Sequence, residues 1–233
     1  MANASLERER MVDAQIRGRG VTDADVLGAM REVPRERFIN SELAEFAYED
    51  SPLPIGEGQT ISQPYIVAAM IEAAEIEAED RVLEIGCGSG YAAAVMSRIA
   101  RRVYTIDRIE PLVALARSRF EALGYDNIET RTGDGTLGWP DAAPFDAILV
   151  TAGGPDVPGS LREQLEIGGR LVIPVGDTER RQRLVKVTRR NADHYVQEQL
   201  GEVAFVPLIG AEGWSETREA GRSARVPPHS ITG

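Results

Sequence analysis

Residues 81–107 read RVLEIGCGSGYAAAVMSRIARRVYTID, and the fold follows from how this stretch is parsed. Val82, Leu83 and Ile85 make a short β-branched and apolar run. The turn Gly86-Cys87-Gly88-Ser89-Gly90 then opens a helical segment over about 91–100, and Val103, Tyr104 and Ile106 form a second strand ending on Asp107. Strand, glycine turn, helix and strand together make one βαβ unit, which places a nucleoside-sized ligand at the carboxyl ends of its strands. The fold class expected is α/β, a doubly wound and mostly parallel sheet.

The glycines matter where a ligand must approach bare backbone, and a carboxylate about 20 residues further on, here Asp107, can accept from two ribose hydroxyls. A dinucleotide site needs GxGxxG, whose third glycine lets the helix pack while its N-terminus faces a pyrophosphate. Tyr91 stands where that glycine is required. The spacing is GxGxG, and Glu84 precedes it, an acid that would repel a pyrophosphate but attract a cationic ligand. This combination resembles the S-adenosylmethionine site of class I methyltransferases. A plainer reading, in which the glycines only close a tight turn, stays open on the motif alone.

The 233 residues are 42% hydrophobic and 27% charged, an ordinary globular composition with enough apolar material for a substantial core. The formal net charge of −11 repels phosphate backbones, so nucleic acid is not expected as a partner. The single cysteine, Cys87, cannot close an internal disulfide, and with two histidines it offers no zinc spacing, so no metal is expected. The N-terminus is charged from Glu7 onward and lacks the apolar core of a secretory signal. No run approaches the roughly 18 apolar residues of a membrane span, and a cytoplasmic monomeric enzyme acting away from membranes is expected.

Outward from the glycine unit, Leu6, Met11, Val12 and Ile16 predict a helix over about 5–18, and Thr22 reads as the cap of a second helix that ends before Pro34. Arg35 and Arg37 read as solvated. Residues 52–58, with Pro52, Pro54, Gly56 and Gly58, predict a fixed loop. Ser62 or Thr60 would cap a helix with Pro64 in its first turn. Beyond Asp107 come a helix ending near Gly124, a strand over 127–130, and the loop Gly133-Asp134-Gly135. Asp134 there can accept from an adenine amino group or serve as a turn acid. Phe145–Val150 is a continuous apolar run of the kind a parallel sheet buries on both faces, followed by Thr151-Ala152-Gly153-Gly154. A short helix around Leu161 and a strand over 171–174 lead to three alternating segments, 183–187, 195–200 and 202–206, read as antiparallel edge strands. The expected organisation is one globular unit: N-terminal helices and loop over 1–80, a Rossmann-like core over 81–211, and a mobile tail over 212–233.

With these residues in place, the chain resembles the protein-L-isoaspartate O-methyltransferase family over roughly 6–210. The resemblance rests on VPRERFI (33–39), AYEDSPLPIGEGQTISQPYIVA (47–68), VLEIGCGSGYAAAV (82–95), GDGTLGW (133–139), APFDAILVTAG (143–153), QLEIGGRLVIPVG (164–176) and VAFVPL (203–208). It implies S-adenosylmethionine as donor, released as S-adenosylhomocysteine, and the α-carboxylate of L-isoaspartyl residues in damaged proteins or peptides as acceptor. By motif position Ser62 would be the active-site serine. Glu84, Gly86, Cys87, Gly88, Ser89, Gly90, Asp107, Arg108, Asp134 and Gly135 would line the cofactor pocket, and Ile61, Gln63, Val206, Pro207 and Leu208 would meet substrate, the last three on a strand. Cys87 stands where Thr or Ser is frequent, Asp107 where Glu is frequent, and Gly153-Gly154 where alanines are common, which leaves room for a different substrate fit. A carboxylate with a pKa near 4 is ionised at pH 7 and needs no general base, so Ser62 is expected to position rather than to react. Two rivals are an aspartate methyltransferase serving one dedicated biosynthetic peptide, and a cofactor-binding module without turnover.

Overall fold

A computed structural model describes residues 2–178 and 181–215. The chain begins with α1 (Ala2–Arg10), a π-helical turn (Met11–Ile16) and α2 (Ala24–Glu32). A small hairpin of β1 (Leu53–Gly56) and β2 (Gln59–Ile61) leads into α3 (Pro64–Ala73). The layered core then alternates β3 (Arg81–Ile85), α4 (Tyr91–Met96), β4 (Arg102–Asp107), α5 (Glu110–Leu123), β5 (Ile128–Thr132), β6 (Phe145–Val150) and α6 (Gly159–Glu163). Three long strands close it, β7 (Leu165–Thr178), β8 (Arg181–Asn191) and β9 (His194–Val203).

The main sheet has the order β5-β4-β3-β6-β7-β8-β9. Strands β3 to β7 are parallel, and the β7–β8 and β8–β9 pairs are antiparallel. The winding reverses between β3 and β6, which opens a crevice at their carboxyl ends, where such sheets hold ligands. The run Phe145–Val150 explains its own place: Ala147 and Leu149 join the core on one face, and Phe145, Ile148 and Val150 join the core on the other. The first core also takes Met11, Ile16, Leu27, Met30 and Phe38, so the N-terminal helices cover that face of the sheet. Helix α5 buries Leu112, Val113, Ala116 and Phe120 on one stripe and stops at Gly124, whose φ of 75° is the left-handed geometry that glycine tolerates.

Several local expectations are corrected. The first helix is straight only to Arg10, then widens into the π turn. Asp23, not Thr22, caps α2, accepting from Asp25 N and Val26 N at 2.9 Å, while Thr22 N and Asp23 N both donate to Glu72 Oε1 on α3. Arg35 is wholly buried rather than solvated. Its Nε donates to Ala47 O at 2.8 Å and its guanidinium lies 4.9 Å from the centre of the Tyr91 ring. Burial lowers its pKa to about 10, which still leaves it charged at neutral pH. The signal was hidden because Arg35 sits in a one-turn 3₁₀ segment, where no helical periodicity marks an inward face. The proline-glycine loop at 52–58 is the β1–β2 hairpin. Helix α4 ends at Met96, with Ser97 Oγ donating to Ala94 O at 2.7 Å. The three short edge strands are two long ones, and 204–206 lies beyond β9.

Candidate active site

At the β3–α4 turn, Gly86 N and Cys87 N donate to Ile106 O at 2.8 and 3.3 Å, pinning the glycine turn to β4. Gly90 has φ 88°, and a Cβ there would lie 2.7 Å from the Phe120 ring, so only glycine lets α4 start against α5. Asp107 ends β4 and accepts from Gly88 N at 2.9 Å through Oδ2 and from Ile109 N at 3.0 Å through Oδ1. Each carboxylate oxygen keeps a second acceptor position, beside a cleft that Gly86, Gly88, Asp107, Arg108, Gly135 and Thr151 help to line.

Asp134 does two jobs at once. Its Oδ1 accepts from Thr136 N and Thr136 Oγ1 at 2.9 and 2.7 Å, and its Oδ2 accepts from Ala211 N at 2.7 Å. It is therefore a turn acid, as one of the two sequence readings had it, and it also lines a depression with Arg108, Gly133, Ile209 and Trp214. One acceptor position on Oδ2 remains. A Cβ on Gly135 would fall 2.5 Å from Ile85 Cγ2.

Glu84 departs from its expected electrostatics. Only 1% of it is exposed, Thr105 Oγ1 donates to it at 2.5 Å, and burial raises its pKa to about 8. At neutral pH it is largely protonated and offers a cation little charge. The Cys87 thiol is pushed well up, first by burial and then by Glu84, so it packs as a small apolar group. Ser89 is buried, with its Oγ accepting from Tyr91 N at 3.3 Å and its carbonyl from Arg119.

A second hollow of about 360 Å³ shares Thr60, Gly86, Gly88 and Thr151 with the first and is also lined by Ile61, Ser62, Glu84 and Tyr91. Ser62 does not cap α3. The cap residue is Gln63, without a side-chain cap bond, and Asp50 instead accepts from Tyr65 N at 3.2 Å. Among the described residues the Ser62 hydroxyl makes no hydrogen bond. Gln63 is drawn aside, its Nε2 donating to Asp50 Oδ2 at 2.6 Å.

Residues 206–208 are not a strand of the main sheet. Val206 O accepts from Gly153 N and Leu208 N donates to Gly153 O, both at 2.8 Å. That edge is occupied, and on the other edge Pro207 brings no N–H. Of the expected tail, residues 212–215 are packed on the core. Glu212 accepts from Ser160 Oγ and Ser160 N at the start of α6, and Trp214 Nε1 donates to Gly153 O at 3.0 Å. The part of the tail at 216–233 lies outside the described residues.

A family model described as Protein-L-isoaspartate(D-aspartate) O-methyltransferase (PCMT) matches residues 6–213. The chain belongs to this family. It is 58% identical over 214 residues to protein-L-isoaspartate O-methyltransferase 2 of Pelobacter propionicus, covering 92% of this chain and 95% of the relative. It is 59% identical over 214 residues to the Pelotomaculum thermopropionicum protein-L-isoaspartate O-methyltransferase, covering 92% and 93%. A solved protein-L-isoaspartate O-methyltransferase superposes with a TM-score of 0.81 at 33% identity, over 93% of this chain and 69% of that one. A Plasmodium falciparum member, solved with S-adenosyl-L-homocysteine, gives 0.74 at 25% identity, over 87% and 98%.

For a protein-L-isoaspartate O-methyltransferase, sequence reasoning set Thr151 beside the site without a role and passed over Thr105, Trp214 and Gln182, which brace the residues around it. Thr151 Oγ1 donates within reach of Ile85 O and Gly86 O, at 3.1 and 2.8 Å, filling the space beside Gly86. Thr105 holds Glu84, and Trp214 joins from the far C-terminal segment. Gln182 is 2% exposed, and its only sequence signal is the period-two alternation that puts it on the inward side with Leu184.

Proposed function

We propose that Ser62, at one end of this cleft, positions the acceptor carboxylate while Asp107, at the other, holds the cofactor's ribose. The chain is a protein-L-isoaspartate O-methyltransferase. It moves a methyl group from S-adenosylmethionine to the α-carboxylate of L-isoaspartyl residues in proteins or peptides. The observation carrying the assignment of ends is the continuity of the two hollows through Thr60, Gly86, Gly88 and Thr151, with Ser62 unbonded in the second.

The residues present fit S-adenosylmethionine, because Gly86, Gly88 and Gly135 line the cleft with bare backbone and Asp107 keeps two acceptor positions. When bound, it supplies a methyl group on a sulfonium, already activated toward an oxygen nucleophile. Asp107 would accept from ribose hydroxyls, and Gly133, Asp134, Gly135 and Arg108 would hold the base. Glu84, Cys87, Ser89 and Gly90 shape the wall behind the turn. Ser62 donates to one carboxylate oxygen and leaves the other facing the methyl. No base is needed, since the acceptor is ionised at pH 7. Catalysis then rests on alignment and exclusion of water, with Ile61 beside Ser62 and Val206, Pro207 and Leu208 along the adjoining hollow, while Gln63 is held aside by Asp50.

The alternative of one dedicated peptide drew on Gly153-Gly154 and on the tail, of which 216–233 lies outside the described residues; at Gly153 the space beside the backbone is taken by the Gln182 amide. Protein rather than nucleic acid as acceptor accords with the net charge of −11. Among the described residues no helix is long and apolar enough to cross a membrane, and we place a monomer in the cytoplasm. Methanol release from an isoaspartyl peptide, measured beside its aspartyl twin, tests the reading. Release from the isoaspartyl peptide alone is expected. Preference for the aspartyl twin would indicate a dedicated substrate, and release from neither would indicate a binding module.

A further inference from the structure

Gly153 is a junction at which every available handle is used. Its N–H goes to Val206 O, and its carbonyl takes Leu208 N and Trp214 Nε1. The place where a Cβ would stand is filled by the side-chain amide of Gln182, with Oε1 2.7 Å from that point. The same amide is bonded on both sides to one residue of the neighbouring segment. Phe205 N donates to Gln182 Oε1 at 2.8 Å, and Gln182 Nε2 donates to Phe205 O at 3.1 Å. A carboxamide that satisfies both backbone groups of one residue imitates a strand partner, and it does so where β9 has ended and no strand remains to pair with. Directly beyond Phe205, Val206, Pro207 and Leu208 line the first hollow, which Asp107 and Gly135 also line and which meets the Ser62 hollow at Thr60 and Thr151.

We infer that Gln182 is a positioning residue for the acceptor: by clamping Phe205 in the space that Gly153 leaves open, it sets where Val206 to Leu208 stand against the incoming isoaspartyl chain. This rests on the proposed acceptor end of the cleft. The side-chain end of Gln182 is flexible, so a methyl group at 153 is relieved by moving the amide, and moving it breaks both bonds to Phe205. Gly153 does not have positive φ, so alanine is acceptable to the backbone there and acts only through this displacement. Gly153→Ala and Gln182→Ala therefore remove the same interaction by two routes, and their effects must couple rather than add.

The test uses the full chain, with peptide kinetics, cofactor calorimetry and amide hydrogen exchange on Gly153→Ala, Gln182→Ala and the double variant. Each single variant is expected to raise the KM for an isoaspartyl peptide about tenfold, the scale of losing buried hydrogen bonds, with kcat and cofactor affinity held within about twofold. The double variant should match Gln182→Ala alone, because the amide that the new methyl would displace is already gone. Exchange at Phe205 N–H and Leu208 N–H should quicken in all three. Gln182→Met fills the same space but can neither donate to Phe205 O nor accept well from Phe205 N, so its KM should match that of Gln182→Ala. Single effects that multiply in the double variant, cofactor affinity that drops in step with peptide, or a KM for Gln182→Met equal to wild type would each overturn the clamp. Amide exchange needs no substrate. A wild-type enzyme inactive on the peptide would thus refute the acceptor reading separately, while unchanged exchange in the variants would refute the clamp itself.

Discussion

The two ends of the cleft are built in opposite ways. The proposed cofactor end is made mostly of neighbouring sequence: the glycine turn, Asp107 and Asp134 come from strands β3, β4 and β5 and the loops after them, and their polar groups are fastened mainly to nearby backbone, with Ala211 N reaching Asp134 from the C-terminal segment. The proposed acceptor end gathers Ser62, Thr151 and the 205–208 segment from separate parts of the chain, the last of these held through side-chain bonds from Gln182. A site inside the core is fixed by the same packing that folds the protein, whereas one assembled from returning loops can be altered without unfolding it. Substitutions at the first end should therefore register in melting and cofactor affinity, and those at the second in turnover.

The largest expected effect follows from Glu84. Its folded pKa of about 8 lies above the ordinary carboxylate value of 4.5, so the folded state holds a proton that the unfolded chain has released. The associated stability is complete below about pH 4.5 and is lost as the pH rises through 8, by on the order of a few kcal/mol. Glu84→Gln should flatten melting temperature against pH across that interval, and an unchanged slope would place the charge elsewhere. Next, Gly90→Ala meets both the left-handed φ and the Phe120 ring and should cost about 3 kcal/mol, seen as a lowered melting temperature. Asp107→Ala should weaken cofactor binding by roughly 10- to 100-fold, the loss of charge-assisted hydrogen bonds; calorimetry giving the wild-type affinity would remove Asp107 from the ribose site.

Ser62→Ala sharpens the contrast most. A positioning contact can be worth up to ~10²-fold in rate, so turnover on the isoaspartyl peptide should fall while melting and cofactor affinity stay at wild-type values. A variant that instead melts lower and turns over normally would give Ser62 a structural role. The smallest effect belongs to Trp214→Phe, which loses the bond to Gly153 O and should cost about 1 kcal/mol, read as faster amide exchange at Leu208.

The same contrast governs how far the sequence could be read. Phe145–Val150 is visible as a run because burial on both faces demands apolar residues without a break, and the glycine turn is visible because close backbone approach excludes side chains. Pro64 at the start of α3 is legible for the same local reason. What escaped depends on partners distant in sequence. Asp50 serves the start of α3 from outside the helix, so spacing assigned that task to Ser62. Arg35 carries a charge that marks a surface, yet the Tyr91 ring and Ala47 O receive it inside. Residues 202–206 read as a strand, but β9 ends at Val203, and Gln182 and Gly153 supply the pairing beyond it.

The strand count at the far edge of the sheet has a consequence for where the chain can go. In the parallel part, each strand delivers the chain to the crevice edge, and a helix must carry it back. After β7 the chain reverses twice, down β8 and up β9, so it emerges at the same edge it would have left. Had the sheet stopped after β8, the exit would lie at the opposite edge, one strand length away, about 35 Å for ten residues at ~3.4 Å each. Phe205 to Trp214 could then reach neither Gln182 nor Asp134. An even number of reversals is what allows the last described residues of the chain to close a site that its middle third began.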